Sequence, residues 1–168
     1  MAHTSEDVVS KSVEARWRSG LGFSVVSADG GTVELDGDEG TSGYRPTALL
    51  LASLAACTGM DVISVLHKKR QTVGRYEVVV SGHRRPDHPR TFDVMTVEHR
   101  VSGSDVDSAA LVRAIELSAT RYCPITAQLA QGDVTIKHRF LIEGASDPRE
   151  GEVVVTGPHG RGLAPLPS

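Results

Sequence analysis

A chain of 168 residues, 39 % of them apolar, is long enough for one domain with a sizeable core. Aromatics make up only 4 %, so that core has to rest on Val, Leu, Ile and Ala. A net charge of −3 argues against a nucleic-acid partner, and a start of Met1-Ala-His-Thr-Ser-Glu-Asp7, with no basic residues ahead of an apolar run, is not a secretory signal.

Val13, Ala15 and Trp17 alternate with Glu14, Arg16 and Arg18, a period of two that predicts a strand. Ser19-Gly20 is a turn, and Leu21 to Val26 resumes the pattern. Asp29-Gly30-Gly31 tolerates positive φ and predicts a tight hairpin into a third strand, Thr32 to Asp36. The stretch 37–43 is a flexible loop. Pro46 suits the first turn of a helix, which should run from about Thr47 to Lys69 and end on the cations Lys68, Lys69 and Arg70. Its first half is apolar on nearly every face, so burial on nearly every side is expected, by a sheet and by something else such as a second subunit. The run Pro46 to Leu66 is long enough to cross a membrane, yet Asp61 falls inside it, and a carboxylate in mid-bilayer is costly. The expectation is a soluble core helix in a cytoplasmic protein, with no membrane partner.

Tyr76 to Gly82 and Phe92 to Val101 alternate and are rich in β-branched residues, an antiparallel pair. The basic loop between them, His83 to Arg90, is either a solvated hairpin loop or a recognition loop. Ser104-Asp-Val-Asp107 offers capping chemistry for a second helix to about Arg121, with Leu111, Ala114, Ile115 and Ser118 on one face. A short helical turn after Pro124 and a strand from Val134 to Ile142 complete a βββ-α-ββ-α-β order, an α+β fold. The boundaries read as an N-terminal extension over 1–10, a domain over 11–143, and a Gly/Pro-rich tail over 144–168, disordered or adding an edge strand through Val153 to Val155.

Chemistry rests on two cysteines. Cys57 lies mid-helix in Leu49-Leu-Leu-Ala-Ser-Leu-Ala-Ala-Cys57, and Cys123 precedes a proline at a helix junction. In a reducing compartment they are either inert packing or working thiols. The thiolate is the reactive form, so Cys123 gains from the N–H groups of the turn that follows, while Cys57 needs a cation. Arg16 and Arg18, on one face of the first strand, and Arg45 are the candidates; taken by themselves, the first two read as ordinary solvent-facing strand residues. The seven histidines show no metal-ligand spacing with a cysteine, there is no CxxC, and no phosphate loop follows a strand. Neither a metal nor any other cofactor is expected.

Gly43-Tyr-Arg-Pro46 leading into Leu49–Cys57, and later Tyr122-Cys123-Pro124-Ile125, resembles the OsmC/Ohr family of osmotically inducible and organic hydroperoxide resistance proteins. The stretches Cys57 to Gln71, Ala15 to Phe23 and Ala114 to Ser118 look like a less characterised subgroup of it. The resemblance covers residues 11–143. It implies an OsmC-like fold in an intertwined homodimer, with the central helices at the contact and the two cysteines close together near it. The implied activity is thiol-dependent peroxide reduction in oxidative-stress defence, without a cofactor. Cys57 would become a sulfenic acid, Cys123 would resolve it to a disulfide, and an external dithiol or a lipoylated protein would restore the pair. Arg16 or Arg18 would stabilise the thiolate. Better-studied members place a glutamate after the proline to hold that arginine, whereas Thr47 and Ala48 stand here, leaving Asp38 or Glu39 as substitutes. That departure keeps open an alternative, a low-turnover dimer that senses redox state or binds a small apolar ligand.

Overall fold

The computed structural model describes residues 11–37, 43–103, 106–144, 149–160 and 162–163. The chain divides into two compact units, Met1–Leu50 and Leu51–Ser168.

In the first unit, β1 (Val13–Ser19), β2 (Gly22–Ser27) and β3 (Thr32–Asp36) form an antiparallel sheet in sequence order. The two turns are made where expected. Gly20 and Gly30 take φ of 52° and 95°, which suits glycine, and the Ser27 N–H donates to the Gly31 carbonyl at 2.8 Å to close the second hairpin. Every residue of the edge strand β1 is exposed, Val13 and Trp17 included. Beyond residues 38–42, the chain returns to β3. The Tyr44 N–H donates to the Glu34 carbonyl, and a Cβ on Gly43 would stand 2.5 Å from that same oxygen, so only glycine fits there.

The second unit holds a five-stranded sheet in the order β4 (Arg75–Arg84), β5 (Phe92–Ser102), β6 (Thr135–Glu143), β7 (Arg149–Thr156), β8 (Gly162–Leu163). All neighbours are antiparallel except β5 and β6. A parallel pair needs a crossover, and α2 (Ser108–Leu117), a π-helical turn (Ser118–Tyr122) and α3 (Pro124–Ala130) supply it. Asp107 caps α2, its carboxylate accepting from the N–H groups of Ala109 and Ala110 at 3.1 and 3.3 Å. Of the expected capping residues, Ser104 and Asp105 lie outside the described residues.

Strand β5 alternates strictly from Met95 on, and β6 throughout. Met95, Val97, His99 and Val101 face the helices together with Ile136, His138, Phe140 and Ile142. The opposite face carries ion pairs, among them Arg100–Glu98 and Arg139–Glu150. Two apolar clusters fill the helix side. In one, Val62 and Leu66 pack with α2, Phe140 and Val154; in the other, Leu54 packs with Phe92, Met95, Cys123 and Ile136.

The helix α1 (Pro46–Lys68) is long and apolar enough to cross a membrane by length and composition, but its place is against this sheet. It buries Leu54, Thr58, Gly59, Val62 and Leu66, while Met60 on the far side is 70 % exposed. The expected burial on nearly every side is therefore not met within one chain, because the sheet covers one face only.

The segment expected to be a tail contributes β7 and β8. Strand β7 is not at the edge, and Val153, Val154 and Val155 are all buried. Three consecutive buried residues are possible because the register slips opposite His138 and Arg139, leaving Val153 as an extra residue in the strand.

Candidate thiol site

Cys57 projects from the middle of α1, half-buried, and Asp61 follows one turn later on the same helix. Cys123 is positioned by the end of the crossover. The π-helical turn closes with the Cys123 N–H donating to the Ser118 carbonyl five residues back, at 2.9 Å. Pro124 then starts α3 in the first turn, where no N–H is needed. Cys123 itself caps that helix, its Sγ accepting the Thr126 N–H at 3.3 Å, the placement expected from the proline junction. It is 2 % exposed.

The two sulfurs and a carboxylate oxygen of Asp61 all lie within 4.8 Å of one another. The convergence takes place inside one chain. Ser118 Oγ donates to Asp61 Oδ2 at 2.9 Å and so fixes the carboxylate. Burial pushes the Cys57 thiol up to about 11; its hydrogen bond with Cys123 adds to this, the Ile125 backbone N–H opposes it, and the Asp61 charge raises it further. Asp61 also lines an open pocket with Ser64, Val65, Lys68 and Tyr122.

Both candidate arginines have carboxylate partners in the three-stranded sheet. Arg16 Nε and Nη2 each donate to Glu14 at 2.9 Å. Arg18 Nη2 is 2.9 Å from Glu34 Oε2, and Ser24 Oγ holds the other oxygen of Glu34 at 2.8 Å. Glu34 thus holds an arginine without following the proline of α1. Asp38 and Glu39 lie outside the described residues.

Sequence reasoning missed Asp61 as a site residue. Its i+4 spacing from Cys57 on a predicted helix was the available signal, but the residue served only as an argument against a membrane span. It also missed a polar ladder in the core. Tyr76 Oη and His99 Nδ1 are joined by a 2.7 Å hydrogen bond, and the His99 ring stacks at 6.3 Å on His138. Burial pushes His99 down to about 3, with the His138 charge adding to the effect, and His138 down to about 4.

A family model described as OsmC-like protein matches residues 37–139, which include both cysteines and Asp61. The chain belongs to the OsmC-like family. This OsmC-like chain is 35 % identical over 130 residues to Protein YhfA of Escherichia coli (strain K12), covering 77 % of this chain and 96 % of that protein. Its fold is similar to that of an OsmC-like protein from Mycoplasma pneumoniae, with TM-score 0.71, 18 % identity, and 80 % and 98 % of the two chains covered. It is also similar to the organic hydroperoxide resistance protein OhrB of Bacillus subtilis, with TM-score 0.54, 22 % identity, and 79 % and 98 % covered. The α+β order of strands, helix and strands is the one that these OsmC-like structures share.

Proposed function

We propose that this chain is a cytoplasmic thiol-dependent peroxidase that reduces organic hydroperoxides or hydrogen peroxide. The observation that carries this reading is the meeting of Cys57, Cys123 and Asp61 within 4.8 Å. The Cys57 thiolate attacks the O–O bond, releases the alcohol (or water) once the leaving oxygen takes a proton, and becomes a sulfenic acid. The Cys123 sulfur then displaces water from it and a disulfide forms. The two sulfurs stand within 4.8 Å of each other, and closing that gap to the ~2.05 Å of an S–S bond is the movement that the resolving step requires. An external dithiol or a lipoylated protein returns two electrons and two protons to the pair.

The working form is a homodimer. On its exposed side α1 offers an open apolar groove with β4, lined by Ala52, Ala55, Ala56, Met60, Ile63 and Val78, which a second copy would cover. Arg18, held by Glu34, or Arg16 supplies the guanidinium that favours the thiolate.

Reduced protein should lose two thiols per hydroperoxide consumed. Cys57→Ser should stop consumption, and Cys123→Ser should leave a sulfenic acid at Cys57 that dimedone traps. Hydroperoxide loss in Cys57→Ser at the parent rate would sink the reading. One observation favours a second one, a low-turnover dimer that senses redox state or holds a small apolar ligand: burial and the Asp61 charge both work against the Cys57 thiolate. Thiol loss no faster than that of free cysteine would select it.

A further inference from the structure

The three groups at the thiol site share a property that peroxide chemistry does not use. All are metal donors, and two of them, Asp61 and Cys123, have an outer hydrogen bond of their own. Ser118 Oγ donates to Asp61 at 2.9 Å and the Thr126 N–H to the Cys123 sulfur at 3.3 Å. Such outer partners orient donors at metal centres and are a large part of their affinity. Donors around one zinc ion lie within about 4.6 Å of one another, twice a Zn–S bond of ~2.3 Å. The three donor atoms here stand within 4.8 Å of one another, at about that limit, so seating an ion asks only for a small closing of the set. Cys57 and Asp61 come from successive turns of a rigid helix, and Cys123 from a helix cap, so the set is held by secondary structure.

We propose that the reduced Cys57–Asp61–Cys123 triad is a three-donor site for a thiolate-preferring divalent metal ion such as zinc. Binding exchanges two thiol protons for one ion, so two thiolates and one carboxylate face a charge of +2. Two sulfurs select soft or borderline ions over calcium and magnesium, and three protein donors leave a fourth position open. Asp61 also lines the pocket shared with Ser64, Lys68 and Tyr122, which gives an ion a way in. The disulfide form has no thiolates and cannot hold the ion, so metal loading and oxidation exclude one another. This inference does not depend on peroxidase activity.

The test is anaerobic titration of the reduced, full-length chain with Co²⁺, followed by Zn²⁺. One Co²⁺ per chain should bind with a sulfur-to-cobalt charge-transfer band in the near-ultraviolet. Zn²⁺ should bleach the band, and two protons should appear in weak buffer. Cys57→Ser and Cys123→Ser should lose the band. Ser118→Ala should weaken affinity about 10–100-fold, the usual effect of losing an outer partner. The parent oxidised to its disulfide should bind nothing at this site, a control that requires no variant to fold. Absence of the band in the reduced parent, or equal binding by Cys57→Ser or by the oxidised parent (an adventitious ion only), would overturn the proposal. Hydroperoxide consumption is not a readout here, so failure of the metal site and failure of the peroxidase reading are separable.

Discussion

His138 offers a prediction whose size follows from its surroundings. It lies on β6 with no exposed surface, facing the helices, and neither ring nitrogen has a hydrogen-bond partner among the described residues. Burial holds the folded ring near 4, against about 6.5 for an ordinary histidine. The unfolded chain therefore takes up a proton below about pH 6.5 that the folded chain refuses. The sign is definite: stability contributed by the neutral ring is fully present above pH 6.5 and is lost as pH falls towards 4. The slope is about 1.4 kcal/mol per pH unit, so pH 5 costs about 2 kcal/mol relative to neutrality. His138→Leu removes the titration without leaving a buried orphan. Urea unfolding followed by circular dichroism at pH 7 and pH 5, at one protein concentration, gives the comparison. The parent-to-variant difference should shift by about 2 kcal/mol in favour of the variant at pH 5. An unchanged difference would refute the argument that this ring stays neutral in the fold. His99, which burial still holds down once the His138 charge is gone, keeps an acid sensitivity of its own in the variant.

Asp61→Asn removes a negative charge beside Cys57, so iodoacetamide should alkylate Cys57 severalfold faster at pH 8; an equal or slower rate would mean that the carboxylate does not act on the sulfur. Asp107→Ala should lower unfolding free energy by about 1 kcal/mol, and Asp107→Asn by much less, because the side chain accepts two N–H groups at the start of α2. Gly157→Ala should cost about 1–3 kcal/mol in the same assay. Its φ is +103°, and a Cβ there would stand 2.1 Å from the Val134 carbonyl oxygen.

Local chemistry made much of the fold legible. Ser19-Gly20 and Asp29-Gly30-Gly31 force turns whatever the rest of the chain does, and both hairpins are present. Pro46 marked the start of α1 because proline suits only a first turn. Leu111, Ala114, Ile115 and Ser118 shared a face on paper and are all buried. Strand β7 was legible only as a possible edge strand at Val153 to Val155; its full length and its place inside the sheet were not, because the slip at Val153 breaks the alternation that identifies strands and glycine and proline are frequent in the flanking residues. The site was legible in halves. Each cysteine stood in a telling frame, but nothing in the spacing of Cys57 and Cys123 shows that a crossover brings them together. Asp61 needed only helical geometry to be seen beside Cys57. Whether His99 and His138 share a core depended on the register of two parallel strands, which no local pattern encodes.

The π-helical turn ahead of Cys123 has a consequence for how the site tolerates change. An α-helix advances about 100° per residue. The π-turn holds one residue more than an α-turn, so removing one residue from Ser118–Tyr122 and letting the turn tighten to α leaves the direction of the chain after it nearly unchanged, and Cys123 stays aimed at α1. A single-residue deletion within Ser118–Tyr122 should therefore be tolerated better than one in the regular helix α2 just before it, which would swing the second sulfur by about 100°.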